Sequence, residues 1–257
     1  MLSLRGGRGV GDTLYVQAIA RELCKTEDIT VCTEYPELFQ LPVKFEPYRR
    51  NNIDVVCHYA NRRHERTHQW EDVQIRAGVK ADLRLDWQTV NDSFIRRFEH
   101  LRPILFVNAG RFPMQRTDGY ANSILPEEGP LNAVLKELRK EYTAIYVGRG
   151  ARLYPVECDI DLGDKTSITE LVDLATISDA FYGQCSFMNI LAQSLDKPCL
   201  TMFASRRANN DLLRTITPQK ILFKETDEYI FDDLRSGPRN IQGKESRYSR
   251  LCAECFG

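Results

Sequence analysis

The residues with the clearest chemical reading lie between Ser178 and Phe203, SDAFYGQCSFMNILAQSLDKPCLTMF. A short apolar run, Ala180–Tyr182, meets Gly183, and from Ser186 onward Met188, Leu191, Ala192 and Leu195 recur at the spacing of one helix face. Asp196-Lys197-Pro198 stops that helix, because proline lacks the N–H and clashes with the preceding turn. Cys199–Phe203 is again a run of strand length. The pattern is strand, tight turn, helix, strand. The helix N-terminus at Cys185–Met188 then presents unpaired N–H groups and the positive end of the helix dipole, a setting that suits an anionic ligand. An ordinary crossover without a ligand has the same pattern, and this segment alone does not separate the two.

A second such place opens the chain. Met1–Leu4 reads as a very short strand running into Arg5-Gly6-Gly7-Arg8-Gly9-Val10-Gly11-Asp12, with four glycines in six positions. Glycine lets the backbone turn tightly and approach a ligand. The spacing is not that of a dinucleotide fingerprint, and no Gly-Lys-Ser/Thr is present to make a phosphate-gripping loop. Asp12 is then either a charge favourable to the dipole of the following helix or an acid held at the mouth of a cleft. Further candidates stand where strands end: Asn108-Ala109-Gly110-Arg111 and Gly148-Arg149-Gly150. His58, His64 and His68 lie close in sequence, but no helix or strand fixes them on one face, so they read as solvated or substrate-facing rather than as metal ligands. Cys252-x-x-Cys255 supplies half a zinc site at most.

The elements that must position these residues alternate. Strands are expected at Ile29–Thr33, Val43–Phe45 and Ile53–Tyr59, with a helix around Trp70–Ala77 ended by Gly78, an extended Asp82–Trp87 and a helix over Val90–Leu101 stopped by Pro103. Ile104–Val107 starts a new unit. It continues through a long loop, Phe112–Pro126, and a helix at Leu131–Tyr142 to a strand at Thr143–Val147, an extended Ile160–Leu162 and a helix at Ile168–Ile177 opened by a Ser167-x-x-Glu170 capping box. Ile221–Phe223 reads as the last strand before a polar tail. Strand and helix in alternation predict an α/β protein of two Rossmann-like domains, 1–101 and 102–257, with an interdomain cleft beyond the carboxyl ends of the strands.

The 257 residues suffice for one large or two small domains. With 35 basic against 36 acidic residues, no global field points to nucleic acid or a membrane. No run of about 18 apolar residues is present to span a bilayer. The absence of a visible signal peptide and the eight scattered cysteines, several in buried strands, predict a cytoplasmic protein with reduced thiols.

Arg5–Asp12 with its helix resembles the opening of glycosyltransferase family 9, the heptosyltransferase-like enzymes. Asp164–Leu171 resembles that family's Thr/Ser-Leu-x-Glu-Leu segment, and Gln184–Phe203 its polar turn, small-residue helix, Leu-x-Lys/Arg-Pro and strand. His68 to Gly78 is similar to a helix of its first domain. The likeness runs to about residue 205. One departure stands out: where the family has Asp-Ser/Thr-Gly-x-x-His, this chain has Gln184-Cys185-Ser186-Phe187-Met188-Asn189-Ile190.

The resemblance implies GT-B architecture and metal-independent, inverting transfer of a sugar from a nucleotide-diphosphate donor to an acceptor hydroxyl, with no cofactor. The first domain would present a glycan or lipopolysaccharide-type acceptor, with Arg8, Gly9 and His58 beside it and Asp12 as base. The second would hold the donor through Gly110, Arg111, Gly148, Arg149, Thr166, Ser167 and the turn Cys185, Ser186, Phe187 and Met188. Three alternatives stand beside it. A DNA glycosyltransferase acting on a hydroxymethylated base would track phosphates with Arg62, Arg63, His64 and Arg66, or with Arg96, Arg97 and Arg102. The missing Asp and His would permit a sugar-nucleotide-binding protein without transfer. A sugar-nucleotide epimerase would need carboxylates clustered at the donor site, and few are evident.

Overall fold

The computed structural model describes residues 1–49, 51–57, 69–110, 126–150, 152–203, 219–225, 228–233 and 237–238. Among them are two sheets. The first contains β1 (Leu2–Arg5), β2 (Ile29–Cys32), β3 (Lys44–Glu46) and β4 (Val55–Val56), all parallel, in the order β3-β2-β1-β4. Helix α1 (Val10–Leu23) connects β1 to β2, and α2 (Gln69–Ala77) ends at Gly78, whose φ is +66°. A chain with no side chain at that position leaves the helix through the left-handed region at little cost.

The second sheet begins at β5 (Ile104–Asn108) and continues through β6 (Thr143–Tyr146), β7 (Ile160–Asp161), β8 (Ala180–Gln184) and β9 (Cys199–Phe203) to β10 (Gln219–Glu225), all parallel. Two antiparallel strands, β11 (Glu228–Asp233) and β12 (Gly237–Pro238), extend it. The parallel strands stand in the order β7-β6-β5-β8-β9-β10, the doubly wound order, which reverses direction between β5 and β8. Helices α4 (Glu128–Leu138), α5 (Ile168–Ile177) and α6 (Phe187–Ser194) belong to its crossovers.

Strand β5 shows why this sheet is buried on both faces. Ile104 and Phe106 join a cluster that also contains Leu4, Leu14, Val73, Leu174 and Leu191, while Leu105 and Val107 join a second with Leu131, Leu135, Tyr182 and Met202. Side chains alternate across a strand, so a run apolar at every position needs a partner on each side. The first of these clusters is continuous from the first sheet to the near face of the second.

Three expectations are corrected. The helix over Val90–Leu101 is instead α3 (Asp92–Ile95), capped by the Asn91 side chain accepting from the Phe94 N–H at 3.0 Å, followed by a 3-10 turn at Glu99–Leu101. The strand at Ile53–Tyr59 is only Val55–Val56 within the described residues. Just before it, the Asp54 carboxylate accepts from the Ser3 N–H and hydroxyl, each at 2.8 Å, and occupies the edge with side-chain bonds. Ile221–Phe223 is not the last strand, since the chain turns back as β11. Among the described residues no helix is long and apolar enough to cross a membrane.

Candidate active site

The carboxyl end of β1 leads through the glycine turn into α1. Gly6 is packed so closely that a Cβ there would stand 2.7 Å from Val16 Cγ2 and 2.9 Å from the Asp12 carbonyl oxygen. This contact folds the turn back on the helix it precedes. The Gly9 N–H donates to Asp12 Oδ2 at 3.2 Å, and the Gly9 carbonyl accepts from the Thr13 N–H (3.0 Å) and hydroxyl (3.1 Å). Asp12 is therefore the half-buried third residue of α1, fixed beside an exposed backbone turn. Arg8 pairs with Glu34 at 3.3 Å and lies over the Tyr48 ring at 5.0 Å. His58 lies outside the described residues, as do His64, His68, Arg62, Arg63, Arg66, Cys252 and Cys255.

In the second sheet the strand order reverses between β5 and β8, and ligands of such sheets sit beyond the strand ends at that reversal. Those ends are Asn108 and Gln184. Gly183 has φ +151°, and a Cβ there would lie 1.9 Å from the Asn108 carbonyl oxygen. Gly183→Ala is thus expected to lose about 3 kcal/mol or more, the upper end for overpacking, because backbone on both sides cannot give way. Gly129→Ala, where a Cβ meets nothing within 4 Å near the start of α4, should be neutral or gain up to ~1 kcal/mol in urea unfolding. Equal stabilities for the two variants would refute the close approach.

A buried polar network holds the turn. Asn108 Nδ2 donates to the Val147 carbonyl (2.9 Å), and its Oδ1 accepts from the Ser186 hydroxyl (2.9 Å). Ser186 Oγ accepts from the Met188 N–H (3.2 Å), and the Ser186 N–H donates to Asn189 Oδ1 (2.8 Å). Asn189 Nδ2 donates in turn to the Thr201 hydroxyl. Of the four amides at Cys185–Met188, Ser186 and Met188 therefore serve the helix's own cap. Those of Cys185 and Phe187 donate no hydrogen bond among the described residues. Gln184 ends β8 and Asn189 is the third residue of α6, so two neutral amides bracket the turn. The Cys185 thiol faces inward although the residue is partly exposed. Burial, with Cys199 beside it, pushes it up to about 12, so it is no nucleophile at neutral pH.

The other donor candidates differ in standing. Gly110 (φ +71°) is buried, with Tyr154 and Val156 at 3.1 and 3.3 Å from a would-be Cβ, and its carbonyl accepts from the Leu153 N–H; Arg111 lies outside the described residues. Gly148 (φ +139°) is buried while Arg149 is exposed. Arg149 reaches toward the first sheet: burial and Glu34 push the Tyr35 phenol above its ordinary value, and the Arg149 guanidinium opposes them. Thr166 is buried. Ser167 is spent on the cap of α5, accepting from the Glu170 N–H at 3.2 Å while its own N–H donates to Glu170 Oε2 at 2.9 Å.

The two turns meet. A Cβ on Gly11 would stand 2.6 Å from Ile190 Cδ1 and 3.4 Å from Phe187 Cα, so the N-terminus of α1 rests on the first turns of α6. The residue before Asp12 in the first unit is thereby packed against the N-terminus of α6 in the second. Sequence reading passed over Thr201, Glu34, Tyr35 and Tyr48, and named Asn108 and Asn189 without the network that joins them. The available signal was a polar residue closing an otherwise apolar strand, as in ILFVN. Among the described residues no group of three His, Cys, Asp or Glu is placed to hold a metal ion.

No protein-family model matches the chain, and no curated protein sequence does. Solved structures match by fold. E. coli ADP-heptose LPS heptosyltransferase II superposes with a TM-score of 0.57 at 14% identity, over 88% of this chain and 92% of that one. A glycosyl transferase family 9 protein from Veillonella parvula DSM 2008 gives 0.57 at 10% identity over 86% and 85%. The iron-containing dodecameric glycosyltransferase TibC from enterotoxigenic E. coli H10407 gives 0.53 at 14% identity over 88% and 65%. At these identities the likeness establishes the fold, so the expected α/β GT-B architecture is borne out.

Proposed function

We propose that this chain is a glycosyltransferase of the heptosyltransferase-like family 9 kind, moving a sugar from a nucleotide-diphosphate donor to a saccharide hydroxyl with inversion and without a metal. The observation that supports the reading is the meeting of the two turns at Gly11, Phe187 and Ile190, since Gly11 directly precedes Asp12 and Phe187 opens α6. Heptosyltransferase II and the family 9 protein share the fold, and the ADP-heptose in the name of the first indicates the donor class. The domain division proposed at 101/102 keeps each sheet whole.

In this mechanism the Asp12 carboxylate takes the proton of the acceptor hydroxyl as its oxygen bonds to the anomeric carbon. The bond from that carbon to the diphosphate breaks on the opposite face, and the electron pair leaves with the phosphate oxygen. The Cys185 and Phe187 amides and the α6 dipole stabilise the charge that develops there. Arg149 and Arg8 flank the cleft as further cations. DNA has less support as acceptor: Arg97 lies over Phe94 and Phe98 at 5.6 and 5.3 Å, and Arg102 Nη2 donates to the Ile177 carbonyl at 2.9 Å, so two of its candidate phosphate contacts serve internal packing.

The test is mass spectrometry of saccharide acceptors incubated with a panel of nucleotide-diphosphate sugars, with and without EDTA, beside a crystal soak of the nucleotide diphosphate. A product of the added sugar mass, unaffected by EDTA, and density at the Cys185–Phe187 turn are expected. Donor binding with neither transfer nor hydrolysis would overturn the enzyme reading. Density confined to the Gly6–Gly9 turn would overturn the assignment of the two halves. Activity lost to EDTA and restored by a divalent ion would overturn metal independence.

A further inference from the structure

Three segments at the carboxyl end of the second sheet converge on one side chain. Asn108 ends β5 and opens the turn through Ala109 and Gly110. Its Nδ2 donates to the carbonyl of Val147 (2.9 Å), the residue before Gly148-Arg149-Gly150. Its Oδ1 accepts from the hydroxyl of Ser186 (2.9 Å), the N-cap of α6. Val147 follows β6 and Ser186 follows β8, the two neighbours of β5 in the sheet. The Asn108 amide therefore bridges two loops across the place where the strand order reverses.

The bridge needs one arrangement of donors and acceptors. A backbone carbonyl only accepts, so the Asn108 atom that faces Val147 must carry the protons. The other atom is then an acceptor and draws the Ser186 hydroxyl proton toward itself. That leaves the Ser186 oxygen free to take the Met188 N–H (3.2 Å). A carboxylate in the same place would keep the Ser186 bond but set acceptor against acceptor at Val147. Its charge would also be disfavoured by burial, since Asn108 is only 6% exposed. A neutral carboxylic acid could replace the amide, with its O–H on Val147 and its carbonyl on Ser186. The loop after Val147 is itself tied together: the Gly148 carbonyl accepts from the Asp164 N–H (2.8 Å), and the Gly150 N–H donates to Asp164 Oδ1 (2.7 Å). A shift at Val147 thus carries the whole loop.

We propose that Asn108 is a positioning residue that locks the Gly148–Gly150 loop and the Cys185–Met188 turn into one arrangement, and that it does so only as a neutral amide. The lock fixes the spacing of two segments assigned to the donor diphosphate, and in that respect it rests on the function proposed above.

The test is Asn108→Asp, which keeps the shape and makes the lock depend on pH. Burial and the Val147 carbonyl raise the new carboxyl above the ordinary carboxylate range, so it is mostly neutral at about pH 5 and ionised at about pH 8.5. Arg149, Asp164 and the Cys185 thiol, the titratable groups on or tied to the joined segments, are common to parent and variant. The ratio of variant to parent at each pH therefore isolates residue 108. In the unliganded chain, hydrogen exchange at 147–150 and at 185–188 should match the parent at the lower pH and run about tenfold faster or more at the higher. The ligand probe is ADP-heptose, the sugar nucleotide in the name of heptosyltransferase II. Its affinity for the variant should match the parent at the lower pH and fall about 10–100-fold below it at the higher. Exchange equal to the parent in either segment at the higher pH would overturn the lock. Faster exchange with ADP-heptose affinity unchanged would overturn the positioning role. Faster exchange in both segments with no ADP-heptose bound by the parent would uphold the lock and count against the donor reading of the turn. Should Asn108→Asp not fold at either pH, Ser186→Ala decides. It removes the hydroxyl at one end of the bridge, and exchange should rise at 148–150 as well as at 185–188. A rise confined to 185–188 would overturn the lock.

Discussion

Asp12→Asn is expected to slow sugar transfer about 10²–10⁴-fold, the usual contribution of a general base, while donor affinity changes little. Asparagine keeps the shape of the side chain, and its carbonyl oxygen can still accept the Gly9 N–H that Asp12 Oδ2 accepts at 3.2 Å. What is lost is the capacity to take a proton. Asp12 also sits in the first turn of α1, where a negative charge stabilises the helix by roughly 0.3–1 kcal/mol. If that were its whole role, the variant would melt slightly earlier and transfer at the normal rate. The two readings therefore separate on one preparation, by thermal melting and single-turnover transfer. Donor affinity serves as a third readout, because the amides proposed for the donor belong to the other sheet. An Asp12→Asn enzyme with full activity would remove Asp12 from the chemistry and leave it a helix charge.

Local chemistry was legible in the sequence, and tertiary chemistry was not. The helix Ile168–Ile177 and its Ser167–Glu170 capping box appear where the residues place them, because the cap is closed within four residues. Cys199–Phe203 is found as written, bounded by Pro198. The helix expected from Val90 fails for the opposite reason. The Val90 and Asn91 N–H groups are drawn to the Asp173 carboxylate, 83 and 82 residues away, and no local propensity registers that pull. The strand β11, EYIFDD, has only three apolar residues between flanking acids, and an antiparallel strand near a sheet edge needs no longer apolar run to form. At the site, the glycines at strand ends were readable, since few other residues allow a close approach such as that of Gly183 to Asn108. The network of Asn108, Ser186, Asn189 and Thr201 was not, because a buried amide is recognised only by the partners the fold brings to it.

Asp173 carries the second large effect: Asp173→Ala is expected to destabilise the protein by about 3–5 kcal/mol, and Asp173→Asn by about 1–3 kcal/mol. The residue is fully buried on α5. Its Oδ1 accepts from Trp87 Nε1 (2.6 Å) and the Val90 N–H (3.0 Å), and its Oδ2 from the Asn91 N–H (2.8 Å). Alanine strands all three donors. Asparagine can keep the two on one oxygen but turns an amide group toward the Asn91 N–H, donor against donor. The segment held in this way is a strap between the sheets. Arg21 of α1 donates to the Asp82 carbonyl (2.7 Å) and to that of Arg84, the Leu85 N–H donates to the Ser194 carbonyl of α6 (2.7 Å), and Gln40 exchanges two bonds with Gln88. The proposed base, Asp12, comes from α1 and the proposed donor amides from the turn before α6, so under that proposal a loosened strap blurs the distance between base and anomeric carbon without altering either half. The expected signature of the milder Asp173→Asn variant is thus a lowered urea midpoint, faster hydrogen exchange over 82–91, a donor affinity close to normal and a slower transfer step. An alanine variant as stable as the parent would show that the strap does not hold the two sheets together.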